Sequence, residues 1–168
     1  PDMAFDRVQD IPLEKLLEKG IRGLILDIDN TIVAPHAAEP DKNALQWIGH
    51  AKKSGFKLCI VSNASQERVR RFNQKLGLDA IHRALKPGIR SFIKAASIMG
   101  IEPEETAVIG DQIFTDIYGG NRAGMCSILM RPIHRREQLF VRMKRLPEKY
   151  VLSKWRKKNH SGGEIHGA

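Results

Sequence analysis

The chain has 168 residues, 42% of them hydrophobic and 28% charged, which suits one globular domain with its own core and argues against a disordered or fibrous chain. No apolar run approaches the roughly 18 residues of a membrane-spanning helix. The net charge of +9 is uneven: from Leu129 onward 11 Lys and Arg face 3 Asp and Glu, which leaves a net of +1 for everything before. The globular part is nearly neutral, and the basic field belongs to the C-terminal stretch, where it favours polyanions such as nucleic acid or an anionic membrane. Pro1 to Asp10 is mixed and polar, unlike a signal peptide, although a chain that opens at Pro1 leaves room for an upstream segment. Cys59 and Cys126 both lie in apolar runs, which predicts buried free thiols and a reducing, cytoplasmic setting.

Taken in order, Leu13, Leu16 and Leu17 recur at helical spacing between Pro12 and Gly20, which predicts a helix over Ile11 to Lys19. Gly23 to Leu26 reads as a strand buried on both faces, with no polar alternation. It runs into Asp27-Ile28-Asp29-Asn30-Thr31. Thr31 to Pro40 holds two prolines and reads as a loop. Asp41 can cap a helix through about Ser54, with Leu45, Trp47 and Ile48 inward and Gly55 as its stop. Lys57 to Val61 is a second buried strand, ending in Ser62-Asn63. A charged helix follows from Ser65 to Leu76, closed by Gly77. A short strand is predicted over Asp79 to Arg83. Lys86-Pro87-Gly88 interrupts the chain before a helix that reaches Met99. Thr106 to Ile109 is a third buried strand and ends in Gly110-Asp111. A short helix from about Thr115 leads into Gly119-Gly120-Asn121-Arg122-Ala123-Gly124, and Cys126 to Met130 is the last strand.

Strands alternating with helices predict an α/β fold with a doubly wound parallel sheet of the Rossmann type. Parallel strands bring their carboxyl ends to one edge, so Asp27, Asp29, Ser62, Asn63 and Asp111 should converge there, at the edge where such sheets bind ligands. The chemistry available to that set is phosphoryl transfer. It needs an in-line nucleophile, neutralisation of the phosphoryl oxygens and a proton for the leaving group. Asp27, first off its strand, can attack and form an aspartyl phosphate. Asp29 can supply and later withdraw a proton. Oxygen ligands suit Mg²⁺, and Asp27, the main-chain carbonyl of Asp29 and Asp111 would provide three. Asp116 can orient the metal's surroundings from outside that set. Ser62 with Asn63 and neighbouring N–H groups, and Lys86 with its ammonium, can hold phosphoryl oxygens.

In these residues the sequence resembles the haloacid dehalogenase superfamily of aspartate-nucleophile phosphatases. Its first motif is matched by Asp27 to Thr31, with Thr31 in a supporting place, its second by Ser62, its third by Lys86 and its fourth by Gly110-Asp111 with Asp116. The resemblance covers about Ile21 to Met130 and implies a Rossmann-like sheet, Mg²⁺ and the roles just argued. Only some ten residues separate Thr31 from the next helix and 23 separate Ser62 from Lys86, too few for a cap domain. That is similar to the capless class IIIA and implies a site open to bulky substrates or to a neighbouring subunit. Leu26 to Thr31, Val61-Ser62-Asn63-Ala64, Ala84-Leu85-Lys86-Pro87 and Gly110 to Asp116 resemble the YqeG-type phosphatases, a branch similar to mitochondrial phosphatidylglycerophosphate phosphatase. The implied substrate is the headgroup phosphate of phosphatidylglycerophosphate. The sequence leaves two alternatives open: a soluble phosphatase for a small metabolite or a nucleic-acid terminal phosphate, or a basic RNA- or membrane-binding adaptor with an idle site.

Two regions follow from this reading: residues 1–133 as the phosphatase domain, and residues 134–168 as a basic C-terminal segment with a disordered end. In that segment Leu139, Met143, Leu146 and Tyr150 recur at helical spacing among Arg and Lys, with Trp155 further on. Such a stripe can pack on the sheet, lie on an anionic bilayer or bind nucleic acid. Oligomeric state leaves no mark in the sequence.

Overall fold

A computed structural model describes residues 1–35 and 37–133. The amphipathic stripe and disordered end anticipated beyond residue 133 lie outside the described residues. The chain forms a six-stranded sheet in the order β1-β6-β5-β2-β3-β4, and every neighbouring pair is parallel. The strands are β1 (Met3–Phe5), β2 (Gly23–Leu26), β3 (Lys57–Val61), β4 (Asp79–Ile81), β5 (Thr106–Gly110) and β6 (Cys126–Met130). The α-helices are α1 (Leu13–Glu18), α2 (Lys42–Lys53), α3 (Gln66–Asn73), α4 (Arg90–Met99) and α5 (Tyr118–Arg122).

The predicted element boundaries hold closely because local signals and burial agree. Asp41 caps α2, its carboxylate accepting from the Ala44 N–H at 2.8 Å, and Ser65 caps α3 by accepting from Arg68 N–H at 3.3 Å. Gly77 and Gly100 follow their helices with positive φ, as left-handed stops require. Alternate residues of the strands feed two cores. Leu24, Leu26, Leu58, Ile60 and Ile109 pack with Leu16, Trp47, Ile48 and Phe72 of the α1–α3 layer. Ile25, Cys59, Val61 and Val108 pack with Phe92, Ala95, Ala96 and Met99 of α4 on the other face. The short α5 comes close because Gly119 is bare: a Cβ there would lie 2.5 Å from the Phe92 ring. Both cysteines are free thiols, Cys59 buried and Cys126 only half-buried. Burial pushes the Cys59 thiol up to about 12.

The order of the strands creates the site. From the central β2 the chain winds outward through β3 and β4, then crosses back to β5 and winds the other way through β6. The reversal falls between β2 and β5, and the crevice outside their carboxyl ends is where such sheets bind ligands. The ladder between them runs on past the strand end, with Asp27 N–H donating to Ile109 O at 3.0 Å.

β1 was not predicted. Three residues in a polar context carry no periodicity, and the strand exists because β6 offers it an edge. Its tie is specific: the Asp2 carboxylate accepts from the Ser127 N–H at 2.7 Å and from the Ser127 hydroxyl at 2.8 Å, and Ser127 is fully buried. Asp2→Ala leaves two buried donors without their acceptor and should lower stability in urea by about 1–3 kcal/mol.

Candidate active site

The loop after β2 folds back on itself. Asn30 takes φ +68°, a left-handed conformation that asparagine tolerates, and its N–H donates to Val33 O at 2.8 Å. The turn directs Thr31 inward. Its hydroxyl donates to Asp27 Oδ2 at 3.4 Å and to Asp111 Oδ1 at 3.3 Å, bridging the ends of β2 and β5. Asp27, Asp111 and Asp116 are all buried, and each offers a carboxylate oxygen within 4.8 Å of the others. An all-oxygen set of that size fits a hard cation such as Mg²⁺.

One ammonium answers these charges. Lys86 Nζ lies 2.6 Å from Asp27 Oδ1 and 2.5 Å from Asp116 Oδ1, and it also donates to Val61 O at 2.9 Å. Burial alone would lower its pKa, but Asp116 and Asp27 more than reverse this and raise it. The loop that delivers it is held by Asn63, whose side-chain amide accepts from Lys86 N–H at 2.8 Å and donates to Lys86 O at 3.3 Å. Asp27 has the opposite problem. Burial pushes its carboxyl up to about 6 against the pull of Lys86, and the nearby Asp116 and Asp29 add to the rise.

The structure therefore brings together Asp27, Thr31, Lys86, Asp111 and Asp116, with the Ser62 hydroxyl buried nearby and accepting from Ala64 N–H at 3.2 Å. Asp116, carried by a π-helical turn at Ile113–Ile117, stands beside Asp27 and Asp111 and pairs with Lys86. Two placements differ from expectation. Asn63 spends its side chain on the Lys86 loop. Asp29 turns its carboxylate away to Arg68, whose Nη2 lies 2.8 Å from Oδ1. Arg68 is the residue that sequence reasoning missed. It sits on a helix with Arg70 and Arg71, and no local pattern distinguishes it from them.

A parallel sheet with catalytic-type carboxylates at its reversal, and a lysine delivered from a third loop, defines the class of haloacid dehalogenase-type phosphatases. A family model described as mitochondrial PGP phosphatase matches residues 1–134. The probable phosphatase YqeG of Bacillus subtilis is 36% identical over 160 residues, covering 95% of this chain and 93% of that one. Phosphatidylglycerophosphatase GEP4 of Saccharomyces cerevisiae is 28% identical over 149 residues, covering 78% and 77%. Among solved structures, a HAD phosphatase from Thermococcus onnurineus shares the fold, with TM-score 0.51 and 22% identity over 60% of this chain and 50% of that one. The chain belongs to the mitochondrial PGP phosphatase family and is a YqeG-type phosphoric monoester hydrolase.

Two tests bear on the cluster. A Cβ on Gly110 would lie 2.3 Å from Asp116 Cβ, so Gly110→Ala must displace Asp116 and break its pairing with Lys86. It should cost at least about 3 kcal/mol in urea unfolding. Gly49→Ala, where a Cβ meets nothing within 4 Å in α2, should be neutral or stabilising by up to about 1 kcal/mol.

The second concerns pH. The Asp27 carboxyl lies at about 6 when folded against an ordinary 3.8. Between those values the folded state holds the extra proton, so stability is lost as pH rises through about 6. In EDTA, the stability of Asp27→Asn relative to the parent should rise between pH 4 and pH 7.5, as read from urea unfolding at both pH values.

Proposed function

We propose that this phosphatase removes the terminal phosphate of phosphatidylglycerophosphate through an aspartyl-phosphate intermediate on Asp27, with Mg²⁺ as cofactor. The observation that carries the reading is the convergence of Asp27, Asp111, Asp116 and Lys86 in one buried cluster at the reversal of the sheet. In this reading Asp27 and Asp111, with the main-chain carbonyl of Asp29, hold the metal, and Asp116 fixes Lys86. A bound Mg²⁺ supplies neutralisation of phosphoryl oxygen charge.

A carboxylate oxygen of Asp27 attacks phosphorus, and the bond from phosphorus to the leaving glycerol oxygen breaks. Asp29 gives that oxygen its proton. Water then attacks the phosphorus of the aspartyl phosphate while Asp29 takes back a proton, which releases inorganic phosphate and restores Asp27. Ser62, the main chain at Asn63 and Lys86 orient the phosphoryl oxygens throughout, and Thr31 keeps Asp27 and Asp111 in register. Asp27 is buried against Lys86, whereas Asp29 is partly exposed and ion-paired with Arg68, so Asp29 must leave that pair to carry the proton it gives.

The lipid substrate is supported by the yeast relative, whose name describes that activity, and by the short connections from Asp29 to α2 and from Ser62 to Lys86, which hold no cap domain. The protein should hydrolyse p-nitrophenyl phosphate only with Mg²⁺, and EDTA should abolish the rate until Mg²⁺ is restored. Asp27→Asn should lower kcat by at least about a thousandfold. Phosphatidylglycerophosphate should exceed glyceraldehyde 3-phosphate and 5′-phosphorylated oligonucleotides in kcat/KM. Parent-like turnover in Asp27→Asn would refute the mechanism, and a preference for either soluble ester would refute the substrate.

A further inference from the structure

Leu85 combines two costs, a strained backbone and a large apolar side chain in water. It is a bulky residue at φ +56°, where its Cβ crowds its own backbone. It is also 81% exposed, so no burial offsets the strain. Outliers of this kind concentrate at functional surfaces. Leu85 immediately precedes Lys86 in the loop after β4.

It does not stand alone. Phe114, 37% exposed, lies between Asp111 and Asp116 in the loop after β5, and Ile133, 48% exposed, follows β6. Ile133 N–H donates to Asn30 O at 3.2 Å, which ties it to the loop that carries Asp29. All three come off carboxyl ends of parallel strands, at the edge where the acidic cluster sits. The first turn of α5, which directly follows the turn bearing Phe114, approaches the loop that carries Leu85: a Cβ on Gly119 would lie 3.3 Å from Pro87 Cα.

The charges on these loops have one sign. Arg83, Arg90 and Arg131 are exposed. Among the described residues, the segments after β4, β5 and β6 expose no carboxylate, because Asp111 and Asp116 are buried. Arg131 meets Asp6 of the β1 side only loosely, at 3.5 Å. Apolar tips interleaved with arginines beside the site fit the interface of an anionic bilayer, where the tips enter the acyl boundary and the guanidinium groups meet lipid phosphates.

We propose that Leu85, Phe114 and Ile133 form a membrane-docking rim that seats the active edge on an anionic phospholipid surface. This inference rests on the lipid reading above. A headgroup phosphate held in a bilayer cannot travel to a site set back from it, so the edge itself has to come down to the surface.

Leu85→Asn suits the test, because asparagine accepts the left-handed conformation and adds no bulk. Ile98→Asn is the control. Ile98 is 42% exposed in the last turn of α4, at the opposite edge, where the neighbouring Met99 carbonyl accepts from Lys57 Nζ at 2.7 Å. The full chain is compared by co-sedimentation with phosphatidylglycerol and phosphatidylcholine vesicles. Turnover is measured on vesicle-embedded phosphatidylglycerophosphate, on its water-soluble dihexanoyl form, and on p-nitrophenyl phosphate.

The expected result is that the parent and Ile98→Asn bind phosphatidylglycerol vesicles equally. Leu85→Asn should bind about tenfold more weakly and lose a similar factor on the embedded substrate. Its rates on the two soluble substrates should match the parent. Vesicle binding that survives unchanged in both Leu85→Asn and the double variant Leu85→Asn/Phe114→Ser would overturn the rim. A parent that binds no vesicles would overturn it too. A parent that binds through Leu85 but hydrolyses no phosphate ester would sustain the rim and sink the function proposed above.

Discussion

Everything at the active edge depends on the Lys86 ammonium lying between two buried carboxylates. Taking a charge out of water costs several kcal/mol, and a pair recovers this only in good geometry with its remaining bonds satisfied. Here the third bond of the ammonium goes to a main-chain carbonyl, Val61 O. The local charge is still not balanced. Asp27, Asp111 and Asp116 bring three negative charges against one positive. The Asp27 pKa is raised chiefly by burial, and the neighbouring Asp116 adds to the rise. A divalent cation would cancel the remainder, so a site that is costly to the folded protein alone is one suited to holding metal.

The fold makes this concentration of charge tolerable by confining it. Asp27 and Asp111 directly follow β2 and β5, while the strand bodies feed apolar cores on both faces. Asp116 alone comes from a helical segment, and the bare Gly110 lets it approach: no side chain at that position leaves space for its carboxylate. Its second oxygen accepts the Gln112 N–H at 3.2 Å. A single π-helical turn thus fixes both the lysine's counter-ion and the start of the next helix.

What the sequence made legible follows from this division. Interior strands are written as uninterrupted apolar runs, and their polar ends mark the edge, so β2, β3 and β5 and the convergence of Asp27, Ser62 and Asp111 could be read directly. The Asp41 and Ser65 caps and the Gly77 and Gly100 stops are local chemistry and were equally readable. The parts that escaped depend on partners remote in sequence. β1 is a strand only because β6 presents an edge and Ser127 presents two donors. Arg68 reaches Asp29 across 39 residues, and Asn63 serves Lys86 across 23. The inward placement of Asp116 required a π-turn, which adds a residue to a helical turn and leaves no periodic signature.

The same reasoning separates two kinds of exposed apolar residue. Single exposed hydrophobes such as Ile98 need no explanation, since much of any protein surface is apolar. Leu85 differs because its backbone is strained as well. Strain survives only where the surroundings impose it, and here they do: Asn63 holds Lys86 N–H and O on one side, while Leu85 O accepts the Gly88 N–H at 2.9 Å on the other. The turn that seats the buried ammonium is therefore also the turn that thrusts Leu85 outward. Internal charge pairing and the outward position of the Leu85 side chain are both consequences of one loop conformation, set by the main chain and not by the Leu85 side chain.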